Sequence, residues 1–151
     1  MSIQFWTRSR ARVVEAARAR GLVDTSVVID LGRVDPGNLP SELAISAVTL
    51  AELAAGPHAT ADHDERARRQ DRLQRTEAAF EALPVDVAVV RAYGRIYAAV
   101  AAAGRKARGR RAFDLLIAAA ALSRELPLYT CNPADFRELG DLLEVVPVPT
   151  P

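Results

Sequence analysis

Apolar and polar positions divide the chain into short buried runs alternating with helical patterns. "LVDTSVVID", Leu22 to Asp30, is almost continuously apolar and β-branched. It predicts a buried strand passing after Asp24 and Thr25 into a helix or turn. Ala44-Ile45-Ser46 predicts a second strand, and Val48 to Ala55 a helix closed by Gly56 and Pro57. In "ADHDERARRQDRLQRTEAAFEAL" the apolar Leu73, Phe80 and Leu83 fall near helical spacing while acids and arginines cover the other faces, the pattern of a solvated helix. "LPVDVAVV" predicts a strand running into a helix, or the start of the helix itself. That helix continues through "RAYGRIYAAVAAAG" with Tyr93, Ile96, Tyr97 and Val100 on one side. After a basic loop, "RKARGRR", come an apolar helix ("AFDLLIAAAALSREL"), a strand ("PLYTC"), a turn with a short helix ("NPADFREL") and a last strand ("LLEVVPV"). Strands alternating with helices imply right-handed crossovers and a parallel sheet covered on both faces, an α/β fold of three layers.

Residues 1–20 differ from the rest. They carry Arg8, Arg10, Arg12, Arg18 and Arg20 against Glu15, and their later half fits a short helix ended by Gly21. We read 1–20 as a basic N-terminal extension and 21–151 as one folded domain. A length of 151 residues, half of them hydrophobic, suits one core. The net charge of +1 argues against a globally basic nucleic-acid coat, so a charged partner must be met by a local patch. The single cysteine, Cys131, excludes an intramolecular disulfide and a Cys-rich zinc module, which fits a reducing cytoplasm. No stretch approaches the roughly 18 apolar residues of a membrane span.

Four acids stand out. Asp24 interrupts a buried run, Glu52 lies on a short helix that is apolar on either side, Asp114 begins the most hydrophobic helix, and Asp135 follows a buried strand. Each has a simple structural reading: Asp24 and Asp135 as turn or helix caps, Asp114 favouring a helix N-terminus, Glu52 facing solvent. In a parallel sheet, however, ligands gather outside the carboxyl ends of the strands. Four carboxylates converging there would titrate as a coupled set with raised pKa values unless a divalent cation compensated them. An oxygen-only donor set selects Mg²⁺ or Mn²⁺.

"LVDTSVVID", "ISAVTLAELAAG", "AFDLLIAAAA" and "LYTCNPADF", in that order, resemble the PIN-domain ribonucleases, most closely the VapC toxins of bacterial toxin–antitoxin pairs. The resemblance runs from about Leu22 to Val148. It implies a five-stranded parallel sheet between helices and a homodimer. It also implies a cognate antitoxin whose C-terminal arm occupies the acidic groove. On it, Asp24, Glu52 and Asp114 bind metal, Asp135 is the fourth catalytic acid, and Thr25, Ser26 and Asn132 support the site. One or two Mg²⁺ ions would polarise a scissile phosphate and lower the pKa of a water from about 15.7 toward neutrality, for in-line hydrolysis of RNA to a 5′-phosphate and a 3′-hydroxyl. Arg105, Lys106, Arg108, Arg110 and Arg111, just before Asp114, are placed to guide RNA toward the acids, or form a solvated loop.

Rival readings are weaker. His58 and His63, beside Asp62 and Asp64, lie in a loop led by Gly-Pro and read as surface residues. Cys131 lacks a paired histidine, and Tyr93 and Tyr97 read as core or dimer packing rather than base-stacking platforms. A haloacid-dehalogenase-type phosphatase needs an acid where Ser26 stands. A noncatalytic module whose acids bind a basic partner arm is the alternative from another class.

Overall fold

The structure is a computed structural model and describes residues 19–150. Five strands, β1 (Arg20–Val23), β2 (Glu42–Ser46), β3 (Ala82–Leu83), β4 (Leu128–Thr130) and β5 (Val145–Pro147), form one sheet in the order β3-β2-β1-β4-β5. All four pairings are parallel. The helices are α1 (Thr25–Ile29), α2 (Ala47–Ala55), α3 (His63–Ala79), α4 (Val87–Ala102) and α5 (Arg110–Ser123), joined by 3₁₀ turns that include Pro133–Leu139. This is the three-layer α/β/α arrangement anticipated from the alternation of strands and helices.

The two faces of the sheet follow from the two-residue strand period. Leu22 of β1 and Leu128 of β4 face a core built with Val89, Ile96 and Val100 of α4 and Leu115, Ile117 and Ala118 of α5. Val23, Ile45 and Tyr129 face the opposite core, with Val27 and Val28 of α1 and Leu53 of α2, against which Leu73 and Phe80 pack from the α3 side. Both faces of β1 are therefore dry, which explains its continuous apolar sequence.

The extended run is shorter than its apolar pattern. β1 ends at Val23, and Val27-Val28-Ile29 belong to α1. The helix expected before Gly21 lies, apart from the helical Ala19, outside the described residues. Gly21 is the second residue of β1, which starts at Arg20 directly after Ala19. Its role is close approach, because a Cβ built there would lie 2.4 Å from the Tyr129 ring and 3.1 Å from Pro40. The rest of the basic segment, residues 1–18, lies outside the described residues. In "LPVDVAVV" the helix begins at Val87 with Asp86 as its cap, the Asp86 side chain accepting from the Val89 N–H at 3.0 Å. The same carboxylate accepts from Arg124, just past α5, at 2.8 Å, which ties the two helices together and holds its pKa below the usual range.

From β1 the chain moves outward through β2 to β3, then returns to the other side as β4 and β5. Strand order thus reverses between β1 and β4. Such a switch point leaves a crevice at the carboxyl ends of the two strands, into which the Asp24 and Cys131-Asn132 segments emerge.

Candidate active site

Asp24 follows β1 directly. Its N–H still donates to the Tyr129 carbonyl at 3.0 Å, extending the pairing with β4, while its carboxylate caps α1. One carboxylate oxygen, Oδ1, accepts from the Val27 N–H at 3.3 Å and from the Ser26 hydroxyl; the other, Oδ2, accepts from the Thr130 hydroxyl at 2.6 Å. The residue is only 5% exposed. Burial raises its pKa, opposed by the hydrogen bonds from Ser26 and Thr130. Asp24 thus caps α1 and also lines the crevice. Ser26 also accepts from the Cys131 N–H at 3.1 Å, and Thr130 from the Asn132 N–H at 3.0 Å, so the β4 end is stitched to the same carboxylate.

Glu52 reaches the crevice because Ser46 ends β2 by capping α2, its hydroxyl accepting from the Val48 N–H at 3.1 Å. Glu52 does not simply face solvent. Its Oε1 accepts from the Thr25 hydroxyl at 2.7 Å, and Thr25 Oγ1 also lies 3.1 Å from Thr49 Oγ1. Asp114 stands one turn into α5, beyond the orphan N–H groups of the helix start, so the dipole reading does not account for it. Its carboxyl is pushed up to about 6, first by burial and then by the charges of Glu52, Asp24 and Asp135, with Arg110 opposing. Asp135 lies exposed in the Pro133–Leu139 turn; the residue flanking that turn on its N-terminal side is Asn132, whose side chain makes no capping bond.

Asp24, Glu52, Asp114 and Asp135 line one cavity of about 480 Å³, together with Thr25, Ser26, Asn132 and Arg110. The basic loop divides. Arg110 lines the cavity, and Lys106 and Arg108 are exposed. Arg105 and Arg111 are instead ion-paired to Glu138, whose side chain is 5% exposed: Arg105 at 3.1 Å, and Arg111 through its Nη2, while its Nη1 donates to the Asp135 carbonyl at 3.1 Å. His58 and His63 are exposed. Tyr93 and Tyr97 stack at a tilt on α4, ring centroids 6.2 Å apart.

Sequence reasoning missed Thr130 and Glu138. Each acts across more than 25 positions of the chain, so only the β1–β4 pairing, or the fold of the last turn onto α5, brings it to its partner. Asp30, which also lines the cavity, was visible in the first motif but passed over.

The donor set fits a hard divalent cation: it is made of oxygens only, and burial together with the charges of the neighbouring acids already raises the Asp114 pKa. Among the described residues no three acids are drawn around one point as they stand. Asp24 oxygens are taken by Ser26, Val27 and Thr130, and a Glu52 oxygen by Thr25.

A PIN-domain family model matches residues 21–142, and the chain belongs to the PIN-domain family. It is 43% identical over 115 residues to Ribonuclease VapC5 of Mycobacterium tuberculosis, spanning 74% of this chain and 82% of that protein. Ribonuclease VapC8 of the same organism is 38% identical over 104 residues, 67% of this chain and 89% of that one. Among solved structures, that of VapBC-5 from M. tuberculosis, described as a member of the VapBC family of toxin–antitoxin systems, superposes with a TM-score of 0.75 at 40% identity. It covers 86% of this chain and 99% of that chain.

Proposed function

We infer that this protein is an endoribonuclease, the toxin of a toxin–antitoxin pair of the VapC type, and that its hydrolysis of RNA depends on Mg²⁺ or Mn²⁺. The observation carrying this reading is the convergence of Asp24, Glu52, Asp114 and Asp135 on one cavity at the switch point of the sheet. Its membership of a family with named ribonuclease relatives supports the reaction class. Asp24, Glu52 and Asp114 would hold the cation, with residues 21–151 as the nuclease unit. When bound, the cation would polarise the scissile phosphate and acidify a water.

The chain's own groups set the geometry. Ser26, Val27 and Thr130 fix the Asp24 carboxylate, and Thr25 fixes one oxygen of Glu52, leaving the other for the cavity. Holding one cation would require the partly buried Glu52 and Asp114 side chains to turn toward Asp24. Asp135, exposed at the rim, orients the attacking water, and Asn132 is the polar neighbour at the same edge. Water adds to phosphorus in line with the departing 3′-oxygen, giving a 5′-phosphate and a 3′-hydroxyl. Arg110 meets a phosphate oxygen, Lys106 and Arg108 steer the approaching strand, and Arg105 and Arg111 brace the loop through Glu138.

The likeness to the VapBC-5 structure supports a cognate antitoxin as partner, and we assign its C-terminal arm to the acidic groove. The exposed Val87, Val90 and Tyr97 on α4 support a homodimer, and we assign the protein to the cytoplasm; no helix among the described residues is long and apolar enough to cross a membrane. The test is incubation of purified protein with RNA in Mg²⁺ or Mn²⁺, with chelator and Asp114→Asn as controls. Cleavage to 5′-phosphate ends, lost in both controls, is expected. Absence of RNA cleavage by the parent overturns the reading; release of phosphate from monoesters would mark a phosphatase, and neither activity a noncatalytic binding module.

A further inference from the structure

The acidic cavity is not isolated. A second cavity of about 680 Å³ adjoins it, and a third of about 470 Å³ continues over α3. Ile29, 42% exposed, lines all three. Arg110 lines the first and second, and Arg72 the second and third. The first junction thus carries Arg110 together with Glu52, and the second carries Arg72.

These two arginines differ from their neighbours. Arg68 and Arg69 are ion-paired with Glu65, at 2.8 and 2.9 Å, and Arg75 with Asp71 at 2.9 Å. Arg72 and Arg110 form no ion pair among the described residues, although Arg72 is half-buried. Phe113, 46% exposed and next in the chain to Asp114, lines the second cavity with both. Leaving a phenyl ring in water forgoes its burial free energy, and holding Arg72 near it without an ion pair adds nothing to the fold. A flat apolar surface in a cavity that also holds Arg110 and Arg72 matches single-stranded nucleic acid, whose bases stack and whose phosphates need counter-charge.

Resting on the ribonuclease reading, we propose that single-stranded RNA threads this groove with its scissile phosphate at the acids, that Arg110 and Arg72 meet backbone phosphates to one side of the cut, and that Phe113 stacks the adjoining base and so sets the sequence context of cleavage. Charge selects the occupant. Of the two carboxylates lining the second cavity, Glu52 belongs to the acidic site and Glu65 is ion-paired to both Arg68 and Arg69, so the charge beyond the acids that has no ion pair is that of Arg72.

The test uses the full-length protein and short single-stranded RNAs carrying 2-aminopurine at each position in turn, bound in chelator so that no cleavage intervenes. Stacking quenches this base. One position is expected to be quenched by the parent and by Phe113→Trp but not by Phe113→Ala. In Mg²⁺, kcat/KM of Phe113→Ala should fall about 10-fold, with a broadened base preference at that position, and Phe113→Trp should restore both. Arg72→Ala should reduce the slope of log affinity against log salt by about 0.7, one phosphate contact on a single strand. Equal quenching, equal context and equal salt slope in parent and variants overturn the proposal and leave the groove to a protein partner. A parent that cuts RNA while the variants match it refutes the groove alone; a parent that cuts none refutes the nuclease reading and the groove with it.

Discussion

Asp114→Asn is expected to make the metal-free protein more stable while removing its activity. The Asp114 carboxyl is pushed from 3.8 up to about 6, first by burial and then by Glu52, Asp24 and Asp135. An acid whose pKa is higher folded than unfolded holds more protons in the folded state. Its stabilising contribution is complete below pH 3.8 and is lost as pH rises through about 6. A pKa unit corresponds to about 1.4 kcal/mol, but the side chain is only half-buried, and solvent screening reduces the expected penalty at pH 8 to about 1–2 kcal/mol. Asparagine has nearly the same shape and cannot ionise. Denaturant or thermal unfolding in chelator should show Asp114→Asn more stable than the parent by that amount at pH 8, on the order of 3–6 °C in Tm, with the difference closing as pH falls toward 4. A variant less stable than the parent at pH 8, or a difference independent of pH, would refute the claim that the acids repel one another across a shared cavity.

Three further outcomes test the surrounding structure. Thr130→Val removes the hydroxyl donated to Asp24 Oδ2 and should cost about 1.5–3 kcal/mol by denaturant unfolding at pH 7, with a lower rate of RNA cleavage. Glu138→Gln strips the charge that Arg105 and Arg111 share and leaves both cations uncompensated; a loss of about 2–4 kcal/mol is expected in the same measurement. Gly21→Ala places a methyl against the Tyr129 ring, and since that ring is buried between β4 and the second core, a loss of at least about 1–3 kcal/mol should appear as a lower thermal midpoint.

The order of elements was legible because each carries its own periodicity. The α4 and α5 patterns, and the apolar runs of β1 and β4, specify type and sequence of elements without reference to one another. Element ends were less so. The apolar run from Leu22 to Ile29 holds both β1 and α1, and only the capping bond of Asp24 to Val27 N–H separates them. The close approach of Gly21 to the Tyr129 ring has no sequence signal, because Tyr129 lies 108 positions further along the chain. The four acids could be singled out because a carboxylate in an apolar setting is conspicuous. Their supports could not: Thr130 and Glu138 are ordinary polar residues whose significance lies in a partner 106 and 27 to 33 positions away. The basic loop reads as one cluster in sequence, yet Glu138 claims two of its arginines and leaves Arg110 at the cavity.

The measurement bearing most directly on the central claim is Mn²⁺ affinity, read by water-proton relaxation at pH 7.5, for the parent and for Asp24→Asn, Glu52→Gln and Asp114→Asn singly. Acids that share one ion predict that each substitution alone weakens binding by about 10-fold or more, on the order of 1.4 kcal/mol per lost ligand. Parent-like affinity in any two of the three variants would mean that the carboxylates do not act on a common cation, and would contradict the account.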